Sequence, residues 1–261
     1  MEQGLAKAQF AAPAVIAQTL NTLGWLAHQQ GESPYARQRL EESLLLFRQL
    51  NDEQGIAEVL DTLGDVAWAA DDLRTGVPYY EESLALRRRL GIQRQVAMSL
   101  YSLGRLYVDH DQNEAAAACF AEALPILAAF GDQRGRALTI NGLGRLALNE
   151  QQYALAGDRF QQALHLFYQL GNKVDIAECL EELALVAFAI NEFERAATLW
   201  AAGEALRQEI RVFMLVYNQH LAAPMLAQID AQQMAAARAA VQRRSLKEAV
   251  AYALHGFAGV D

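Results

Sequence analysis

Apolar and small residues return along this chain at a fixed interval of 40 positions. The clearest sign is a repeated leucine–glycine pair, at Leu23-Gly24, Leu63-Gly64, Leu103-Gly104 and Leu143-Gly144. A second column is always large and apolar, and it comprises Leu40, Tyr80, Phe120, Phe160 and Trp200. A third is always small, and it comprises Ser43, Ser83, Ala123, Ala163 and Gly203. This repetition predicts an array of stacked units, in which each unit contacts only its neighbours.

Within each repeat the apolar spacing predicts two helices joined by a short turn. In the first repeat the apolar positions follow the i, i+4, i+7 spacing of one helical face: Ile16, Leu20, Leu23 and Ala27. Ser33 is expected to cap the second helix, with Pro34 as its first residue, where the missing N–H of proline does no harm. Glycines follow later second helices and are expected in the left-handed conformation: Gly91, Gly131 and Gly171.

The glycine of each leucine–glycine pair is predicted to let the two helices of a hairpin approach closely. A glycine inside a helix costs about 0.5–1 kcal/mol relative to alanine. Repeating it four times therefore implies that the close approach recovers more than this cost. The small column is expected to do the same from the second helix, while the large column fills the space between units.

The period divides the chain into five repeats and two flanking segments. The repeats fall at about 13–52, 53–92, 93–132, 133–172 and 173–211. Residues 1–12 are interpreted either as the last turns of a preceding helix or as an N-terminal cap, because Phe10 has the register of residues that close later second helices. Residues 212–261 lose the register and are expected to form a helical cap, in which Ser245 and Glu248 form a capping box.

Charge and cysteine content exclude several classes of partner. The formal net charge is −9 and the isoelectric point is near 5.1, so phosphate backbones and anionic lipid would be repelled. Cys119 and Cys179 lie in different repeats outside any C-x-x-C pair, which favours buried thiols in a reducing compartment. The N-terminal residues lack the pattern of a signal peptide, and no apolar run is long enough to span a bilayer. We therefore expect a cytoplasmic protein without nucleic-acid or membrane partners.

Polar residues that flank the buried face of each first helix are expected to point into a concave groove. The candidate ligand-binding residues are Asn21, Trp25, Asp61, Asp65, Trp68, Tyr101, Arg105, Asn141, Arg145 and Glu181. Two aspartates would form an acidic end and two arginines a basic end, with aromatic side chains as anchors for a polar ligand or an extended peptide. The alternative is that Asp65 and Arg105, at equivalent positions of adjacent repeats, pair with each other and need no ligand.

No set of residues has the spacing of a catalytic, cofactor or metal site. The segment 142–147 matches G-x-G-x-x-A, but it lies inside a predicted helix, whereas a dinucleotide site needs a strand before it. The five histidines are scattered, and neighbouring glutamates such as Glu41 and Glu42 do not face each other on a helix. The sequence therefore predicts a non-catalytic protein without cofactor or metal.

The order of large apolar, Leu-Gly, small, large aromatic and small positions resembles the tetratricopeptide repeat from Ile16 to Arg211. The common repeat has about 34 residues. The period of 40 residues here is similar to that of the C-terminal arrays of bacterial STAND-type ATPase regulators, including LuxR-type activators related to the maltose regulator. Segments 195–210, 235–241 and 245–254 resemble, in that order, the closing segments of many such regulators.

This resemblance implies an all-α fold, a right-handed superhelix of tetratricopeptide-like helical hairpins with a C-terminal helical cap. It further implies a non-catalytic module that binds a protein, a peptide or a small inducer as the sensor part of a larger signal-transducing regulator. The sequence has neither the phosphate loop nor the basic DNA-reading helix of such regulators. The alternative is a free-standing scaffold that assembles partner proteins, or copies of itself through its terminal repeats.

Overall fold

The computed structural model describes residues 2–211 and 216–255, and within these ranges the chain forms thirteen α-helices and no strand. The helices are α1 (Glu2–Gln29), α2 (Ser33–Leu50), α3 (Glu53–Ala69), α4 (Leu73–Arg89), α5 (Gln93–Asp109), α6 (Asn113–Ala129), α7 (Gln133–Asn149), α8 (Tyr153–Leu170), α9 (Lys173–Ala189), α10 (Phe193–Ile210), α11 (Val216–Gln228), α12 (Ala231–Val241) and α13 (Leu246–Leu254). The all-α prediction is confirmed. None of the described helices combines the length and the apolar character needed to cross a lipid bilayer.

The helices belong to two compact units, which we call the first unit (residues 1–110) and the second unit (residues 111–261). In the first unit, α1 pairs with α2 and α3 with α4, while α2 stacks on α3 and α4 on α5. In the second unit, α7 pairs with α8 and α9 with α10, α6 stacks on α7, and α8 stacks on α9. Of the last helices, α12 packs on α10 and α13 contacts α8. Each unit therefore contains two stacked helical hairpins, as the repeat predicted.

The helix boundaries confirm some expectations and correct others. α1 is continuous from Glu2 and contains Pro13, so the expected helix start at residue 13 is wrong. Ser33 is not the cap of α2, because Glu32 occupies that position and Ser33 is already helical. Proline is tolerated just after it because N–H groups of a first helical turn have no partner within the helix. The side chain of Phe10 lies outside those described, so its register stays a prediction.

The turn and cap residues predicted later in the chain are confirmed. Three glycines that follow second helices have φ values between 64° and 73°: Gly91, Gly131 and Gly171. Ser245 and Glu248 form the predicted capping box at the start of α13. Cys119 and Cys179 are free, buried thiols, also as predicted.

The repeated glycines face the large apolar column at very short range. A Cβ atom added to these glycines would lie 2.5 or 2.6 Å from the nearest atom of the partner side chain: Gly24 against Leu40, Gly64 against Tyr80, and Gly144 against Phe160. Each partner belongs to the second helix of the same hairpin and is fully buried. The predicted role of glycine, close approach of the two helices, is confirmed at these three positions.

The small residues of the second helix contact the backbone of the first helix. Ser43 Oγ donates a hydrogen bond of 2.7 Å to the carbonyl oxygen of Ala17, and Ser83 Oγ donates one of 2.8 Å to that of Ala57. At the equivalent Gly203, an added Cβ would lie 3.0 Å from the carbonyl oxygen of Ala177. A small side chain at this position therefore lets the second helix contact the backbone of the first.

One face of α1 is exposed although the same face of α3 is buried. Ile16 is 52% exposed and Leu23 is 41% exposed. The equivalent Ile56 and Leu63 lie in one core cluster with Phe47 of α2, which stacks on their helix. The buried positions of α1 are instead Ala17, Asn21, Gly24 and Ala27. The expected buried face of α1 is therefore wrong at Ile16 and Leu23, because no described helix covers that side.

We predict that Gly64→Ala lowers the free energy of unfolding by about 1–3 kcal/mol, measured by urea denaturation, because the added methyl group overpacks a full site. Tyr80 cannot move aside easily, since its ring is buried and its hydroxyl group donates a 2.7 Å hydrogen bond to Asp65. Gly76→Ala is the matched control. Its Cβ would approach one terminal methyl group of Leu106, at 2.9 Å, and we expect a smaller loss. An equal loss for both variants would contradict this account of the glycine.

Candidate functional site

Helix α3 presents three carboxylates along one side. Its N-terminus is fixed by Asp52, whose side chain accepts a 3.0 Å hydrogen bond from the backbone N–H of Gly55. Glu58, Asp61 and Asp65 follow at i, i+3 and i+7, a spacing that places side chains on one helical face. Acidic side chains at this spacing give α3 a polar wall next to its buried apolar face.

This wall borders an open pocket of about 370 Å³ in the first unit. The pocket is lined by Asn21, Thr22 and Trp25 of α1, Glu58, Asp61, Thr62 and Asp65 of α3, and Arg87 of α4. Trp25 is 50% exposed and is the one aromatic side chain among the described residues that line the pocket. Asn21 is only 9% exposed, and its Oδ1 atom is buried without a hydrogen-bond partner. Four of the ten candidate residues from the sequence thus meet at one pocket.

Asp61 is held by a cation from the second helix of its own hairpin. Its Oδ1 atom lies 3.0 Å from Nη1 of Arg87 and accepts a 3.3 Å hydrogen bond from Ser99 Oγ. Arg87 is 6% exposed, and its Nη1 atom also contacts Ser99 Oγ at 2.5 Å. Burial raises the pKa of Asp61, and the neighbouring guanidinium group partly offsets that effect.

Asp65 takes part in the pairing that the sequence offered as an alternative to ligand binding. Its Oδ1 atom accepts hydrogen bonds of 2.9 Å from Arg105 Nη2 and 2.7 Å from the Tyr80 hydroxyl group. The guanidinium group of Arg105 also stacks over the ring of Trp68, with its central carbon 3.6 Å from the ring centroid. Arg105 therefore supports the wall of the pocket through Asp65.

Two of the predicted aromatic anchors are buried. Trp68 lies beneath Arg105, and its indole N–H donates a 2.5 Å hydrogen bond to Asp109 Oδ2. Tyr101 is also buried, with its ring centroid 5.7 Å from the central guanidinium carbon of Arg105. Among the three aromatic candidates, Trp25 is the one with a half-exposed ring at the pocket.

The three candidate residues of the second unit are buried and have protein partners. Asn141 Nδ2 donates a hydrogen bond to Glu182, and Arg145 Nε lies 3.5 Å from another oxygen of that carboxylate. Glu181 is 2% exposed and forms a two-point ion pair with Arg207, with N–O distances of 2.6 and 2.8 Å. The structure thus brings Asn141 and Arg145 together on Glu182, while Glu181 pairs elsewhere. A role for these three in ligand binding stays a prediction.

Sequence reasoning missed four residues that line the pocket: Thr22, Glu58, Thr62 and Arg87. The three on first helices are neighbours of predicted positions on the same helical face. Arg87 was missed because the candidate rows were taken from first helices alone. Arg87 lies on α4, which is the second helix of its hairpin.

A repeat-specific signal for Arg87 is nevertheless present in the sequence. Arg87 follows Asp61 by 26 positions, and Arg207 follows Glu181 by the same interval. The other three repeats have apolar residues in the arginine column: Phe47, Leu127 and Phe167. An arginine therefore replaces a core residue only in the two repeats whose first helix has an acidic residue at the facing position. This joint change indicates an ion pair within the hairpin.

Comparison with known families identifies one matching family model, that of the tetratricopeptide repeat, over residues 55–129. Comparison with curated protein sequences gives no match. Among the described residues, no group of three His, Cys, Asp or Glu side chains is placed to hold a metal ion.

Three solved structures resemble the chain in fold at low sequence identity. BtubC (BKLC) from P. vanneervenii has a TM-score of 0.62 and 18% identity, over 81% of this chain and 87% of that one. A Rap protein in complex with competence and sporulation factor has a TM-score of 0.71 and 14% identity, over 90% of this chain and 65% of that one. A STAND protein with a tetratricopeptide repeat sensor, from Pyrococcus horikoshii, has a TM-score of 0.62 and 15% identity, over 93% and 38%. These likenesses confirm the predicted fold of tetratricopeptide-like hairpins.

We predict that Glu181 is needed for stability. Glu181→Met leaves the buried guanidinium group of Arg207 unpaired and should lower the free energy of unfolding by about 3–5 kcal/mol, whereas Glu181→Met/Arg207→Met should recover most of that loss. The control is Glu209→Met, which breaks the exposed 2.6 Å pair with Lys173. That change should cost about 0–1 kcal/mol. Equal losses for Glu181→Met and Glu209→Met in urea denaturation would contradict the structural role.

The carboxyl group of Asp175, at the start of α9, should make stability depend on pH. Burial raises its pKa from 3.8 to about 6, although Arg134 lies 3.5 Å away. Because the folded protein prefers the protonated acid, the stabilising contribution is complete below pH 4 and is lost as the pH rises through 6. The free energy of unfolding falls by about 3 kcal/mol in total, because each unit of pKa shift corresponds to 1.36 kcal/mol. Asp175→Asn should lack it, so the variant should gain stability relative to the parent between pH 4 and 7. A pH-independent difference between the two proteins in urea denaturation would contradict the assignment.

Proposed function

We propose that this chain is a non-catalytic recognition module that binds a protein or peptide through the pocket formed by α1, α3 and Arg87. The observation that carries the proposal is the pocket itself, in which a half-exposed tryptophan stands beside a polar wall. An exposed aromatic ring next to satisfied and unsatisfied polar groups is typical of a binding hot spot. The buried thiols support a reducing, cytoplasmic site of action.

We further propose that the module is the sensor part of a larger signal-transducing regulator. The likeness to the STAND protein with a tetratricopeptide repeat sensor supports this role, as does the likeness to a Rap protein seen in complex with competence and sporulation factor. The chain spans 65% of that Rap protein and 38% of that STAND protein, so its similarity concerns their helical repeats. The ligand in this proposal is a protein, a peptide or a small inducer.

A free-standing scaffold is the second candidate function, and the exposed face of α1 favours it. Ile16 and Leu23 are apolar and accessible, whereas the equivalent Ile56 and Leu63 of the next hairpin are buried. In a scaffold, this face would dock partner proteins or copies of the chain. The two functions use different surfaces of the same helix, so they can be separated by substitution.

The test begins with peptides selected from a random displayed library, with the whole chain as bait. These peptides should bind the Trp25→Ala variant at least about 10-fold more weakly than the parent chain, since aromatic hot spots contribute about 2 kcal/mol or more. Isothermal titration calorimetry measures the affinities, and circular dichroism confirms that helix content is unchanged. Tyr35→Ala is the matched control, because Tyr35 is a similarly exposed aromatic residue of α2 outside the pocket.

The outcome also separates the two candidate functions. Loss of binding in Ile16→Ser/Leu23→Ser, with full binding in Trp25→Ala, would reject the pocket and support the scaffold. Self-association of the parent chain in sedimentation velocity, abolished by the same double substitution, would point to the scaffold as well.

A further inference from the structure

The lining of the pocket contains more carboxylates than cationic side chains. Three carboxylates of α3 line it, whereas Arg87 is the one cationic side chain among its described lining residues. The positive charge of Arg87 is already committed to Asp61 at 3.0 Å. The positive charge of Arg105 is likewise committed to Asp65. Glu58 accepts a 3.1 Å hydrogen bond from the neutral amide of Gln54, and no cationic side chain among the described residues forms an ion pair with it.

Both aspartates of the pocket use one oxygen for these bonds and leave the other available. The hydrogen bonds to Asp61 and Asp65 from described residues all end on Oδ1. No hydrogen bond from a described residue reaches Oδ2 of either side chain. Since the two aspartates are four residues apart on a helix, their Cβ atoms are about 5–6 Å from each other. The wall therefore offers at least two carboxylate oxygens, together with Glu58, to an incoming donor.

Asn21 adds an independent sign that the pocket lacks a donor. It lines the pocket from the opposite helix, is more than nine-tenths buried, and has an Oδ1 atom with no hydrogen-bond partner. A buried acceptor without a donor costs about 1–3 kcal/mol. A donor that reached this atom would relieve that cost, whereas an anionic ligand would not.

Trp25 completes the site with the surface that a cation prefers. Its ring is half exposed at the pocket, and the face of an indole attracts a guanidinium or ammonium group within about 6 Å of its centre. The chain already contains this contact, because the guanidinium group of Arg105 stacks on Trp68 beside Asp65. An aromatic face and a carboxylate, both on α3, thus already hold one arginine of α5 in the same unit.

We propose that the pocket binds a guanidinium or ammonium group, either on an arginine or lysine side chain of a bound peptide or on a free small amine. The group donates hydrogen bonds to Oδ2 of Asp61 and Asp65, lies against the Trp25 ring, and balances the charge of Glu58. This inference rests on the proposed function, because it names the chemistry of the same pocket.

The test compares two capped tripeptides, Ala-Arg-Ala and Ala-Cit-Ala, in which citrulline is the neutral isostere of arginine. Binding to the whole chain is followed by tryptophan fluorescence, since Trp25 is half exposed whereas Trp68 and Trp200 are buried. We expect the arginine peptide to bind at least about 10-fold more tightly, a difference of 1.4 kcal/mol. The preference should fall by at least half in Glu58→Gln and persist in Glu41→Gln, which changes an exposed glutamate of α2 outside the pocket.

Agmatine, a free amine with the same guanidinium group, forms a separate arm of the test. Binding of agmatine as tight as that of the arginine peptide identifies a small cationic ligand, while much tighter binding of the peptide identifies a peptide side chain. Either result supports the inference, provided that the affinity falls in Glu58→Gln.

Two outcomes overturn the inference, and they differ in what they say of the proposed function. If the arginine and citrulline peptides bind equally and both lose affinity in Trp25→Ala, the pocket binds peptides without preference for a cation. If neither peptide nor agmatine binds below about 10 mM, the cation site is wrong, and the library-selected peptides then decide the proposed function alone.

Discussion

The contact between a glycine of one helix and a large buried side chain of the next sets the geometry of the hairpins in this protein. At Gly64 the space for a methyl group is already filled by the ring of Tyr80, and the same holds for Gly144 against Phe160. The second helix therefore lies closer to the first than two ordinary side chains would allow. Serine in the small column adds a hydrogen bond to the backbone of the first helix in two hairpins. Interior packing tolerates little change in volume, so this spacing is fixed by the sequence of each hairpin.

The same spacing allows an ion pair inside a hairpin, with arginine at the second-helix position that is apolar in the other repeats. Asp61 meets Arg87 in the first unit, and Glu181 meets Arg207 in the second. The two pairs differ in exposure: Glu181 is enclosed, while Asp61 remains at the edge of an open pocket. Pairing lowers the cost of burying either charge. The same kind of ion pair therefore supports the interior of one unit and the wall of an open pocket in the other.

The fold could be predicted from the sequence because the same pattern of apolar, small and glycine positions returns every 40 residues. The repeated glycines at Gly24, Gly64 and Gly144 each face a large side chain of the second helix. The candidate site could be predicted only in part. Asn21, Trp25, Asp61 and Asp65, which were predicted from the rows on first helices, line one pocket. The remaining candidates contact other side chains of the protein, and the repeat pattern does not specify those pairings. Trp68 is covered by Arg105, for example, and Glu181 is enclosed by an arginine from the second helix of its hairpin.

The exposed side of α1 has a consequence for the pocket, because the same helix supplies Asn21 and Trp25. A helix packed on one side opens more readily than one covered on both, so α1 is expected among the less stable parts of its unit. Any surface that buries Ile16 and Leu23 would restrain this helix, and so would any ligand held by Trp25. Two events that order the same element are thermodynamically linked, and each strengthens the other by the same factor. Under the proposed function, α1 is thus the element through which occupancy of the pocket is linked to coverage of its exposed side.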